Sequence, residues 1–110
     1  MSKMSKIKKI AIVGLGQIGI FLYNELKNKK NEIEKKTGYK IQIEAISAKN
    51  INKRRKFKID KSIFFSNPLE IFKIKKIDIL FECVGLSGGI SKRIVETALK
   101  NKINVITPNK

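Results

Sequence analysis

At 110 residues the chain is long enough for one hydrophobic core and too short for two. Its 42% hydrophobic content, seven glycines and two prolines exclude a disordered or collagen-like chain, and one cysteine with no histidine leaves neither an internal disulfide nor a structural zinc site with a credible ligand set. The formal charge of +16 raises nucleic acid as a partner, but the 25 basic residues are all lysine except Arg54, Arg55 and Arg93, scattered among isoleucines and asparagines rather than forming the arginine forks that read bases and phosphates.

Lys8 to Val13 is a short β-branched run that reads as a buried strand. It passes straight into glycines rather than a cleavage site, and no apolar stretch approaches the ~20 residues that span a bilayer. A signal peptide and a membrane partner are therefore not expected, and a cytoplasmic location is. From Gln17 to about Lys30, Ile18, Phe21, Leu22 and Leu26 fall at the spacings of a helix with one buried face. Asn31 is positioned to cap a short exposed helix to Lys36, with Gly38 as its left-handed stop. Ile41 to Ile46 alternates apolar and polar positions, giving a second strand that ends at Ser47.

Ala48 to Asp60 carries charge without periodicity and reads as a solvated loop. Its densest basic run, Lys53 to Lys58, holds one aromatic, Phe57, too few for base stacking. Specific nucleic-acid binding is set aside, and weak salt-sensitive sticking to polyanions is expected. Ile63 to Phe65 is a brief third strand, and Asn67-Pro68 opens a short helix with Leu69, Ile71 and Phe72 on its apolar side. Ile77 to Val84 is a buried strand, Gly85 to Gly89 a flexible turn, Ile90 to Lys100 a helix on Ile90, Ile94, Val95 and Ala98, and Ile103 to Ile106 the last strand. This alternation predicts one α/β domain over residues 1–110, a Rossmann-type doubly wound parallel sheet of about five strands with helices on both faces.

The chemical signal is Gly14-Leu15-Gly16-Gln17-Ile18-Gly19, a G-x-G-x-x-G that leaves a predicted strand and opens a predicted helix. In such a loop Gly14 permits the tight turn, Gly16 lets a pyrophosphate approach the backbone, and Gly19 packs helix on strand. Amides from Gly16 through Gln17 and Ile18 would face the phosphates with the positive end of the helix dipole behind them. Without its context the motif is a glycine-rich turn; with it, a nicotinamide dinucleotide is the expected cofactor.

At the end of the second strand an Asp or Glu would take the 2′-hydroxyl of NAD. The residues there are Ser47, Ala48 and Lys49, further from Gly19 than the usual ~20 positions because of the inserted helix. A neutral or basic end suits a 2′-phosphate, so NADP is expected ahead of NAD, with Lys49 pairing the phosphate, or else standing as a solvated charge. Val84 and Gly85 lie at the carboxyl edge of the fourth strand, where they either approach the nicotinamide ribose or only serve a tight connection. Glu82 faces either a helix or the cofactor cleft, and Cys83, with no histidine to activate it, reads as core.

Across nearly its full length the chain resembles the NAD(P)-binding domain of homoserine dehydrogenases. Four stretches carry the likeness: Ile12 to Gly19, Ala45 to Lys49, Phe81 to Gly85 with its following glycines, and Val105-Ile106-Thr107-Pro108-Asn109-Lys110. The resemblance implies that Lys110, ending a Thr-Pro-Asn-Lys motif, sits where cofactor meets substrate, with an electrostatic role and a part in proton transfer. The glycines after the fourth strand, Gly85-Leu86-Ser87-Gly88-Gly89, depart from the family's paired pattern, which implies a slightly altered loop there. The implied reaction is interconversion of homoserine and aspartate semialdehyde in threonine, methionine and isoleucine synthesis. The family's substrate and dimerisation region follows the motif lysine, so a downstream segment or partner subunit is expected to complete the enzyme, and the chain alone to be inactive. An aspartate-dehydrogenase-like cofactor domain and a noncatalytic nucleotide-binding module are the alternatives.

Overall fold

In chain order the protein, seen as a computed structural model describing residues 6–48, 60–84 and 89–107, runs β1 (Lys6–Val13), α1 (Gln17–Asn28), α2 (Lys30–Thr37), β2 (Tyr39–Ser47), β3 (Phe64–Phe65), α3 (Ile71–Ile74), β4 (Ile79–Glu82), α4 (Gly89–Lys100) and β5 (Asn104–Ile106). Single 3-10 turns at Lys61–Ile63 and Pro68–Glu70 precede β3 and α3. The strands form one all-parallel sheet in the order β3-β2-β1-β4-β5. The order reverses between β1 and β4, which makes their carboxyl ends the switch point where open α/β sheets open a crevice.

Each face of the sheet has its own apolar layer. On one side Ile10, Ile12, Ile46 and Cys83 pack with Ile20 and Tyr23 of α1. On the other, Ala11, Val13, Ala45 and Leu80 pack with Ile71 of α3 and Ile94 and Ala98 of α4. The doubly wound architecture expected from the alternation of elements is present. The expected elements all appear, β1 and β2 longer than the apolar runs alone suggest and the third strand reduced to two residues. The loop expected over Ala48 to Asp60 lies largely outside the described residues.

Four local expectations are corrected. The buried face of α1 is Gly19, Ile20 and Tyr23, with Leu22 and Leu26 partly buried, while Ile18 and Phe21 are 42% and 62% exposed. The helix is rotated by a contact that hydrophobicity does not encode: Gly19, without a side chain, lies against the Gly14 carbonyl. Second, α2 begins after Lys29 with no side-chain cap, so Asn31 lies inside the helix; Gly38 does end it in the left-handed conformation, its N–H donating to the Glu34 carbonyl at 2.8 Å. Third, the alternation along β2 changes phase. Ile10 pairs with Ile43 but Ala11 with Ala45, so Glu44 is an extra residue. Ile41, Ile43 and Ile46 all pack toward α1 as a result, and Ala45 packs on the other layer. Glu44, half-buried, accepts from Gln42 and meets Lys75 at 3.8 Å. On α4, Ile94 and Ala98 are buried as expected, but Ile90 at its start is exposed.

Candidate functional site

β1 ends in hydrogen bonds to both neighbours: the Cys83 N–H donates to the Val13 carbonyl at 2.7 Å, and the Gly14 N–H to the Ser47 carbonyl at 2.7 Å. The chain then turns through Gly14 at φ +96°, a conformation that L side chains rarely adopt. A Cβ at Gly14 would stand 2.7 Å from the Cys83 carbonyl carbon and 2.8 Å from the Val84 nitrogen. At Gly19 a Cβ would overlap the Gly14 carbonyl oxygen and lie 2.9 Å from its carbon. The first and third glycines are thus sites of direct backbone packing, and they bring the start of α1 down onto the switch point.

Gly16 is different. It is the N-cap of α1 with an ordinary φ of −77°, it is exposed, and an added Cβ would meet nothing within 4 Å. No side chain caps the helix, no acidic residue occupies its first turn, and Gln17 and Ile18 are exposed beside it. First-turn amides have no intrahelical acceptor, so this end of α1 presents N–H donors and the positive end of the helix dipole to open space. That arrangement suits a diphosphate, which approaches within hydrogen-bonding distance of backbone only where no side chain intervenes.

Ser47, at the end of β2, is buried and pairs in register with Val13. No carboxylate stands at Ser47 or Ala48. Glu82, at the end of β4, is the other buried polar side chain among the described residues, 5% exposed, and pairs with Val13 from the opposite side. It occupies the same strand face as Leu80, the α3/α4 side, and its Oε2 accepts the Val84 N–H at 2.9 Å. Sequence reasoning left the orientation of Glu82 open; the signal that could have placed it is the two-residue alternation from Leu80. Cys83 points the other way, into the layer under α1, and burial pushes its thiol up to about 11, with the Glu82 charge adding to the effect.

The structure therefore brings together Gly14, Gly16, Gln17, Ile18, Gly19, Ser47 and Val84 at one edge of the sheet. Lys49, Gly85 and Lys110 lie outside the described residues. A groove of about 370 Å³ between α1 and β2, lined by Tyr23, Leu26, Lys27, Lys30, Lys40 and Ile43, is at the start of β2 rather than its end and includes none of these residues. No helix among the described residues is long and apolar enough to cross a membrane, and no group of three or more potential ligands that could hold a metal ion occurs among them.

A parallel sheet with a glycine-lined, uncapped helix start at its switch point defines a nucleotide-binding α/β domain. Residues 14–110 match the family described as "Homoserine dehydrogenase, NAD binding domain", and the chain belongs to that family. It is 30% identical over 101 residues to homoserine dehydrogenase from Neisseria gonorrhoeae (strain ATCC 700825 / FA 1090), covering 92% of this chain and 23% of that protein. Solved structures of S. aureus homoserine dehydrogenase superpose with a TM-score of 0.85 at 29% identity (the pH 7.5 crystal) and 0.83 at 30% identity (pH 8.5), covering 94% and 96% of this chain. The homoserine dehydrogenase of Thiobacillus denitrificans, at 24% identity and a TM-score of 0.76, shares the fold. The chain spans about a quarter of the length of these relatives.

Proposed function

We propose that the chain seats the pyrophosphate of a nicotinamide dinucleotide on the first turn of α1, as the cofactor-binding part of an enzyme that interconverts homoserine and aspartate semialdehyde. The observation that carries this reading is the contrast among the three loop glycines. Gly14 and Gly19 are filled against backbone, whereas Gly16 faces open space at an uncapped helix start. A merely structural glycine turn gives no reason for the middle position to lack a side chain.

When bound, the cofactor would give the hydride to the aldehyde or take it from the alcohol. The chain's own part is to hold the diphosphate by amides and to keep the two dinucleotide halves on either side of Val13. The adenosine ribose then lies toward Ser47, and the lack of a carboxylate there favours NADP over NAD, with Lys49 contributing to the 2′-phosphate. Lys110 is assigned, from the Thr-Pro-Asn-Lys motif, an electrostatic role at the substrate carbonyl. Because the chain spans a quarter of its relatives, we expect these 110 residues to bind cofactor without turnover.

Gly16→Val tests the central point. The valine has room, so the unfolding midpoint should stay close to wild type while calorimetry shows most of the dinucleotide affinity gone. Unchanged affinity in a folded Gly16→Val chain would falsify the placement of the diphosphate. For the cofactor preference, loss of one charge-assisted contact costs about 1.5–3 kcal/mol, so Lys49→Glu should weaken NADP by roughly tens-fold and spare NAD. Equal weakening of both sinks the role given to Lys49.

A further inference from the structure

Glu82 is a buried carboxylate that the phosphate-binding reading does not use. It ends β4 next to Val13, and its Oε2 takes the N–H of the residue two positions on, Val84, at 2.9 Å. That hydrogen bond closes the backbone over Cys83, and the closed peptide is the surface on which Gly14 rests: a Gly14 Cβ would stand 2.7 Å from the Cys83 carbonyl carbon, 2.8 Å from its oxygen and 2.8 Å from the Val84 nitrogen. Where β4 leaves the sheet is thus set by a side chain, since the ladder to β1 ends at the Cys83 N–H. In a doubly wound sheet the two nucleotide halves lie on opposite sides of the switch point. With the adenosine half toward β2, the backbone leaving β4 borders the nicotinamide half.

We propose that Glu82 is a positioning residue for the nicotinamide half of the cofactor, acting through the Val84 N–H rather than by touching the cofactor. This rests on the dinucleotide reading above. A buried carboxylate is a costly means of holding one amide, and an apolar side chain would fill the same face more cheaply. Its presence is accounted for if the conformation of the β4 exit matters more than the packing beneath it.

The test compares two probes on the 110-residue chain. NAD⁺ carries the nicotinamide and its ribose, and ADP lacks both but keeps the adenosine and the diphosphate. Glu82→Met preserves length without an acceptor and should weaken NAD⁺ about tenfold while leaving ADP within about twofold. Glu82→Gln, which retains a carbonyl acceptor for Val84, should keep both affinities near wild type. Equal loss of the two probes in Glu82→Met, or no loss of either, overturns the proposal, as does a Glu82→Gln chain that loses NAD⁺ selectively. Should Glu82→Met not fold, hydrogen exchange on the wild type decides: the Val84 amide must be protected before any ligand is added, and exchange at the rate of an open peptide overturns the inference. A wild-type chain that binds neither probe removes the dinucleotide reading itself, an outcome distinct from all of these.

Discussion

Gly14 and Gly19 are in direct contact through backbone, and that contact makes the glycine loop as much a packing device as a binding one. Gly19→Ala forces the helix away from the Gly14 carbonyl. Overpacking of well-filled positions costs about 1–3 kcal/mol, and the obstacle here is backbone that cannot rotate aside. The expected result is a fall in unfolding free energy at the upper end of that range, measured by urea denaturation; a cost under about 0.5 kcal/mol, typical of surface changes, would contradict the close approach. Cys83 provides a residue-scale prediction in pH. Burial disfavours its thiolate, so the folded chain holds the thiol proton to about 11, above the reference value of 9.0. The folded state then binds this proton more tightly than the unfolded state, and the stability it represents is complete below pH ~9 and lost as pH rises toward ~11. The two-unit gap corresponds to at most about 2–3 kcal/mol. Wild type should therefore lose more stability than Cys83→Ala across that window, and at pH 8 the thiol should react with iodoacetamide far more slowly in the folded chain than in urea. Parallel pH profiles, or equal alkylation rates, would show the thiol to be accessible.

The element that most departs from its sequence pattern is α1. Ile18 and Phe21 have helical spacing with Leu22 and form the more hydrophobic stripe, yet the helix buries Gly19, Ile20 and Tyr23. Tyr23 also accepts the Asp60 N–H at 3.0 Å, linking α1 to the chain before β3. Phe21→Gln is accordingly expected to change stability by less than about 0.5 kcal/mol. Ile20→Ala should cost roughly 2–4 kcal/mol, and Tyr23→Phe about 1 kcal/mol for the lost hydrogen bond. Denaturant midpoints of the three variants check the order, and a Phe21→Gln penalty as large as that of Ile20→Ala would restore the sequence-derived face.

The same contrast shows what the sequence disclosed. The order of strands and helices was legible because parallel strands buried on both faces read as runs such as Ile10 to Val13, and the loop was legible because its three glycines stand between one such run and a helix. The rotation of α1 and the phase change at Glu44 were not, since each comes from a contact between residues distant in the fold's local periodicity: Gly19 on the Gly14 carbonyl, and Ala11 facing Ala45 rather than Glu44. At the candidate site, spacing pointed to Gly14, Gly16 and Gly19 and the end of the second strand to Ser47, which the usual spacing from Gly19 would have missed because of the inserted helix, and the orientation of Glu82 required the strand face to be fixed by Leu80.

At the scale of the whole molecule the dominant quantity is the +16 charge, and it acts on folding and on ligand binding with opposite sign. Among the described residues the ion pairs are Lys29–Glu25 and Lys73–Glu70, short-range helix pairs, and Lys75–Glu44 at 3.8 Å. The two exposed helix pairs contribute about 0–1 kcal/mol each, and the half-buried Lys75–Glu44 pair is a single contact, so screening them removes little. The repulsion among the excess lysines is long-ranged, because the Debye length is ~30 Å at ~0.01 M salt and falls to ~8 Å at ~0.15 M. Adding sodium chloride over that range should therefore raise the unfolding midpoint. A dinucleotide is an anion, drawn to the same field that destabilises the fold, so its affinity should fall over the same range. NADP, with its extra phosphate, should fall more steeply than NAD. Thermal denaturation and calorimetry at matched salt concentrations measure the two trends. A midpoint that declines with salt would mean that native ion pairs outweigh the excess charge, and affinities indifferent to salt would place the dinucleotide beyond the reach of the lysine field.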